Sequence, residues 1–412
     1  MSHTTHLEKY ADLAIETGVN LQEGQALMLN APVDGAEFAR IVAKKAYERG
    51  AKNVHVNWTD DALRRMKFEH APMEELEEVP QWQVDKLNSF AKGGAAVLSI
   101  RAENPDLLNG IEAKRIQVAN KASAEAMKEF RQYTMNDHIP WSIVAIPNEE
   151  WAQKVFPESS KEEAVAKLWE QIFTITRVAK EDPIEAWNEH NDVLAQARAF
   201  MNKKQFKKLI YKSEGTNLEV ELPEGHIWKG GSSETTKGQT FNPNIPTEEV
   251  FTVPHKYGVN GTVASKKPLS YGGNLIDNFS FTFENGKVVD FSAEQGEEAL
   301  QNLLDMDEGA RRLGELAIVP HSSPISQSGV IFYNTLYDEN ASCHLALGKG
   351  YPSTIKGGAD MDDEQLDKNG VNNSLVHVDF MMGSADLAID GELADGSTVP
   401  VFRNGEWAID FD

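Results

Sequence analysis

The pentapeptide Val376-His377-Val378-Asp379-Phe380 sets an imidazole and a carboxylate two positions apart among apolar neighbours. Side chains alternate sides along a strand, so His377 and Asp379 share one face and the valines take the other. A neutral imidazole beside a carboxylate suits Zn²⁺, Co²⁺ or Mn²⁺, the plainer alternative being a local ion pair on a sheet surface. A second stretch, LYDENASCHL (336–345), brings Asp338, Glu339 and His344 close together and runs on into Ala346-Leu347. An imidazole in that apolar setting is either a satisfied core histidine or a paired or coordinated one. In IPTEEVF, the pair Glu248-Glu249 enters an apolar strand, so one carboxylate turns inward and needs a cation unless the pair lies in a solvated turn. Glu315 heads the run Leu316-Ala317-Ile318-Val319, with Arg311 and Arg312 as its bland partners. The lone cysteine, Cys343, adjoins His344, but strand neighbours point to opposite faces, which argues against thiol–imidazole catalysis. Taken together, these groups read best as a carboxylate–histidine metal centre.

Other chemistries leave no trace. There is no GxGxxG after a predicted strand, no GxxxxGK[ST], no GxSxG, no HExxH and no CxxC, and Gly348-Lys349-Gly350 lacks the upstream glycine of a phosphate loop. Forty basic against 64 acidic residues give a net charge of −24, which disfavours nucleic acid and anionic membranes as partners. No apolar run approaches the ~18 residues of a membrane span. The N-terminal MSHTTHLEKYADL has neither the basic flank nor the apolar core of a signal peptide. A single cysteine suits a reducing compartment, so a cytoplasmic location is expected.

These groups need a scaffold, and 412 residues exceed the ~250–300 that one core serves, so two domains are expected. In the first half, apolar runs at 26–29, 54–58, 94–100 and 141–146 alternate with helical stretches, one of them capped by Asp34 and carrying Phe38, Ile41, Val42 and Ala46. This pattern predicts an α/β domain with a doubly wound, mainly parallel sheet. Helices are predicted over 162–178 and 183–201. Beyond about residue 205 the pattern changes to short strands, including 206–212, 218–222, 330–337, 375–380 and 399–402, with a hairpin at Asn285-Gly286 and one helix near 297–304. A β-rich α+β domain over 205–412 is expected to carry the metal centre, after an α/β domain over 1–204. The basic cluster Lys203, Lys204, Lys207 and Lys208 at the junction reads as a solvated linker rather than an anion site.

The strings IPTEEVF, RRLGELAIVP, YNTLYDENASCHLALG and HVDFMMGS, in this order, resemble the motifs of the aminopeptidase S and aminopeptidase T family of metallopeptidases, particularly the PepS type. The likeness covers essentially the whole chain, including ALMLNAP and RGAKNVHV in the first half. The resemblance implies two divalent ions (Zn²⁺, Co²⁺ or Mn²⁺) in each subunit and release of single residues from peptide N-termini. Carried onto this chain, it implies metal-site residues Glu249, Glu315, Glu339, His344, His377 and Asp379, with Tyr351 as an active-site tyrosine. Spacing leaves Glu248 as the alternative to Glu249. Glu315 is expected to bridge the ions or shuttle a proton, with Glu339 the alternative, and Tyr351 to donate to the tetrahedral oxyanion. Similar enzymes are homodimers enclosing a shared interior. Short peptides are therefore the expected substrates, with the first domain as chamber wall and dimer contact. A dinuclear amidohydrolase on non-peptide amides and a non-catalytic metal-stabilised binding protein are the competing readings.

Overall fold

The apolar runs of the first half form four parallel strands, β1 (Ala26–Pro32), β2 (Asn53–Thr59), β3 (Ala96–Arg101) and β4 (Trp141–Ala145), in the order β2-β1-β3-β4. Parallel neighbours need crossovers, supplied here by helices such as Ala36–Glu48, Gln81–Lys92 and Ala113–Ala126. Leu27, Met28 and Leu29 of the central β1 are fully buried, as in a strand covered on both sides. Helix Ala36–Glu48 buries Phe38, Ala39, Val42 and Ala46. Asp34 is not its cap: it lies in the 3-10 turn Val33–Gly35, and Gly35 occupies the N-cap position.

The computed structural model describes residues 2–102, 104–271 and 274–409. Its chain divides into two compact units, Met1–Glu189 with Ser232–Pro246, and His190–Gly231 with Thr247–Asp412. This differs from a single cut near residue 205. The division falls inside helix Pro183–Lys204, and segment 232–246 joins the first unit because it extends the sheet edge. There, Ile143 donates its amide to Pro243 O at 2.9 Å and accepts from the amide of Ile245 at 3.0 Å.

In the second unit, a nine-stranded, antiparallel sheet is built from stretches within 208–221, 259–295 and 388–407. Its hairpin turns at Asn285 and Gly286, whose φ values of 49° and 78° match the primed turn that favours Asn-Gly. Four further strands, β5 (Val250–Thr252), β6 (Leu313–Ile318), β7 (His344–Gly348) and β8 (His377–Met381), form an antiparallel sheet in the order β8-β7-β6-β5. One face of this small sheet, with Val250, Leu316, Leu345, Leu347 and Phe380, joins the main core of the unit. Its other face is where the polar residues gather.

Helix Glu297–Leu304 forms as expected, but 330–337 is not a strand. Asp338 accepts the backbone amides of Phe332 at 2.7 Å and Asn334 at 3.0 Å, and Asn334 caps a helical turn over Thr335–Asp338. Local side-chain acceptors thus take the amides that a strand would have paired. Among the described residues, no helix is long and apolar enough to cross a membrane.

A bulge between Leu313 and Glu315 offsets β6 against β7. Gly314 sits in it, and an added Cβ would overlap the carbonyl oxygens of Gly348 and Lys349. Such bulges re-aim side chains, and this one aims Glu315. Gly314→Ala is therefore expected to destabilise the second unit by about 1–3 kcal/mol, the usual cost of overpacking. Urea unfolding followed by tryptophan fluorescence is the check, and an unchanged transition would show that the bulge tolerates a side chain.

Candidate metal centre

Period-two geometry puts five of the expected residues on the polar face of the small sheet. His377 pairs with Gly348 and Asp379 with Ala346 across β8 and β7, while Glu315 pairs with Ala346 and Ala317 with His344 across β7 and β6. Glu249 stands just before β5, in phase with Phe251, which pairs with Ala317. The result is a tight cluster. His344 Nε2 lies 3.2 Å from Glu249 Oε2 and 3.6 Å from Glu315 Oε1. His377 Nε2 lies 3.5 Å from Asp379 Oδ1 and 4.0 Å from Glu315 Oε2.

Each imidazole is oriented from behind. His344 Nδ1 is 3.1 Å from Ser342 O, and His377 Nδ1 is 2.7 Å from Lys349 O. A carbonyl only accepts, so each Nδ1 carries the hydrogen and each Nε2 turns toward the carboxylates, the arrangement usual for metal-binding histidines.

The adjacent glutamates part company. Glu249 faces His344, whereas Glu248 Oε2 lies 3.6 Å from His190 Nε2. Asn340, fully buried, accepts the Glu248 amide at 2.8 Å and reaches Glu339 Oε1 at 3.4 Å, tying the 339–341 turn to the strand entry. Glu339 borders the cluster from that turn, half-buried, on the wall of a cavity of about 350 Å³ that also exposes His377 and Asp379. Tyr351 follows β7, 40% exposed, with its ring 4.8 Å from that of His377. Asn340 and the carbonyls of Ser342 and Lys349 are supports with no signature of their own in the sequence. Arg311 and Arg312 are not partners of Glu315; they pair with Asp305 and Glu308.

Crowding perturbs several protons of the cluster. Burial drives Glu315 up to about 7 against the opposing pull of His344, and Glu249 and Asp379 add to the rise. Burial also raises Glu339, reinforced by the charges of Glu249 and Asp379. For His377, burial opposes the charged form, but Asp379 and Glu315 outweigh it and lift the imidazole to about 9. His344 is raised likewise, by Glu249 and Glu315 against its burial. Burial lifts the Cys343 thiol to about 12, and its Sγ lies 3.3 Å from both the amide and the carbonyl of Val319, away from His344's partners.

The donor set fits divalent metal. Glu249 Oε2, Glu315 Oε2 and Asp379 Oδ1 are buried without a hydrogen bond, an expensive condition for carboxylate oxygens unless a cation meets them. Two trios, Glu249-Glu315-His344 and Glu315-His377-Asp379, each offer ligand atoms lying within 4.8 Å of one another, and Glu315 belongs to both.

A family model described as thermophilic metalloprotease (M29) matches residues 3–407, and the chain belongs to this family of metal-dependent peptide hydrolases. Aminopeptidase 2 of Geobacillus stearothermophilus is 56% identical over 404 residues, 98% of each chain. Aminopeptidase AmpS of Bacillus subtilis is 50% identical, covering 99% of this chain and 100% of the relative. The solved structure of wild-type AmpT from Thermus thermophilus matches with a TM-score of 0.91 at 42% identity, covering 99% of this chain and 100% of that one.

Because Cys343 faces Val319 and His344 faces the carboxylates, their substitutions should separate. Cys343→Ala is expected to keep most peptide hydrolysis, with a packing loss of about 1–2 kcal/mol. His344→Ala is expected to lose about a hundredfold or more, as removal of the imidazole leaves the neighbouring carboxylates unbalanced. Equal losses in the two variants, both folded by circular dichroism, would reverse the assignment.

Proposed function

We propose that the chain is a dinuclear metallo-aminopeptidase that removes residues one at a time from the N-termini of short peptides. The observation that carries this reading is the pair of donor trios overlapping at Glu315. Glu249 and His344 would hold one ion, His377 and Asp379 the other, and Glu315 would serve both, with Glu339 turned toward the same space. Charge supports the count: Glu249, Glu315, Glu339 and Asp379 carry four negative charges when ionised, matched by two divalent ions. Zn²⁺, Co²⁺ or Mn²⁺ bound there would supply Lewis acidity to polarise the scissile carbonyl and a water made acidic near neutral pH.

The remaining work belongs to the chain. The carbonyls of Ser342 and Lys349 keep both Nε2 atoms aimed inward. With Glu315 engaged between the trios, Glu339 is the carboxylate left to take a proton from the attacking water and return it to the leaving amine nitrogen. Burial and the charges of Glu249 and Asp379 raise its pKa, which favours taking up a proton. Tyr351, whose proton is held firmly by burial and the surrounding carboxylates, donates to the oxyanion of the tetrahedral intermediate. The substrate's α-ammonium is matched by the acidic surroundings. A homodimer and a cytoplasmic location complete the proposal, the first drawn from the family resemblance and the second from the single cysteine.

Hydrolysis of an aminoacyl-p-nitroanilide should vanish on chelation and return with added metal, two ions per chain being counted by elemental analysis. An N-acetylated substrate should remain uncut. Cleavage of the blocked substrate at the same rate would favour a general amidohydrolase, and turnover indifferent to chelator would end the metal mechanism.

The proton balance gives a second check. In the metal-free chain His377 has its pKa raised from 6.5 to about 9. Its pairing with Asp379 therefore stabilises the fold fully below about pH 6.5 and is lost as pH rises through about 9. Ligation requires the neutral imidazole, so metal uptake at pH 7 should expel protons, fewer as pH climbs past 9. Calorimetry in two buffers of different ionisation heat measures this. Metal binding at pH 7 without proton release would contradict it.

A further inference from the structure

We propose that the first unit holds a second ligand site, for a di- or tripeptide gripped by its charged ends. The chain passes from β1 outward to β2 and then to β3 on the opposite side of β1, so the sheet order reverses between β1 and β3. Open α/β sheets leave a crevice at such a switch point, outside the carboxyl ends of the strands. Here it is a cavity of about 880 Å³ reached by the ends of β1, β2 and β3, within the ~300–1,000 Å³ usual for ligand pockets.

Its floor is polar where a covered parallel sheet is ordinarily aliphatic. Asn30 and Ser99 line it, and Asn57, outside the lining, stands in register with them across β2, β1 and β3. Asn57 Nδ2 donates to Asn30 Oδ1 at 3.0 Å, and Asn30 Nδ2 donates to Ser99 Oγ at 3.0 Å. The row ends on the Ser99 hydroxyl, which has a proton left to offer to a peptide group.

The rim carries both signs of charge. Arg64 and Lys67 lie one turn apart on helix Asp61–His70 and form no ion pair among the described residues. In a chain of net charge −24, two cations without an acidic partner mark a place for a carboxylate. Asp60 caps that helix through Oδ1, 3.0 Å from the Leu63 amide, which leaves Oδ2 for an ammonium. Trp58 and Leu63, 47% and 63% exposed, give apolar surface between them. Carboxylate, ammonium, amide and apolar side chain occur together in a free peptide. A phosphate fits poorly, because Pro32-Val33-Asp34-Gly35 after β1 puts an acid where phosphate loops place glycines.

The metal-site residues all belong to the second unit, whereas the residues of this cavity belong to the first. The probe is the dipeptide Leu-Phe, titrated calorimetrically into the chelator-treated full-length chain carrying Glu315→Gln, so that neither hydrolysis nor metal ligation contributes. One saturable site is expected. Its affinity should fall about tenfold or more, some 1.4 kcal/mol, in Arg64→Ala/Lys67→Ala and again in Trp58→Ala. It should fall likewise for Leu-Phe acetylated and amidated at its ends. These side chains are exposed, and circular dichroism confirms that the variants remain folded. Unchanged affinity in the Arg64→Ala/Lys67→Ala chain, equal binding of the blocked dipeptide, or no saturation by about 10 mM overturns the proposal.

Discussion

Carboxylates gathered out of reach of water are the constraint on which the second unit depends. Glu249, Glu315 and Asp379 each present a buried oxygen without a hydrogen bond, and two imidazoles partly balance them. Each uncompensated buried charge costs several kcal/mol, so the sheet that holds them must be anchored by something else. The anchor is its reverse face. Leu316, Leu345, Leu347 and Phe380 are almost wholly buried there, and each contributes about 1.5–3 kcal/mol. One small sheet thus presses an aliphatic face into the core while its polar face gathers charge.

Much of this was legible in the sequence because strand alternation is a strong rule. It assigned His377 and Asp379 to one face and turned Cys343 away from His344. The parallel sheet of the first unit likewise followed from four apolar runs and their intervening helices. What stayed illegible depended on partners far along the chain. The choice between Glu248 and Glu249 rests on His190 and Asn340, which stand 58 positions before and 92 after Glu248. The apolar character of 330–337 gave no hint that Asp338 would take its amides, and segment 232–246 carries no mark of its return to the first unit.

The two units also differ in how their surroundings treat polar side chains. In the second, burial raises Glu315 and Glu339 while neighbouring carboxylates raise His344 and His377 against their burial. In the first, the Asn57–Asn30–Ser99 row is hydrogen-bonded along its length, and Lys86 Nζ donates to Asn57 Oδ1 at 2.6 Å. Fully satisfied rows of this kind rigidify the strands that carry them.

The two imidazole anchors have a consequence for spacing. Ser342, whose carbonyl holds His344, precedes β7, and Lys349, whose carbonyl holds His377, follows it. Strand β7 therefore works as a ruler: both rings are referenced to the ends of one five-residue rod, fully buried and hydrogen-bonded on both edges. The separation of the two imidazoles is thereby fixed by the strand rather than by the loops around the cavity. Insertion or deletion of one residue in the rod would put one ring out of phase with the other.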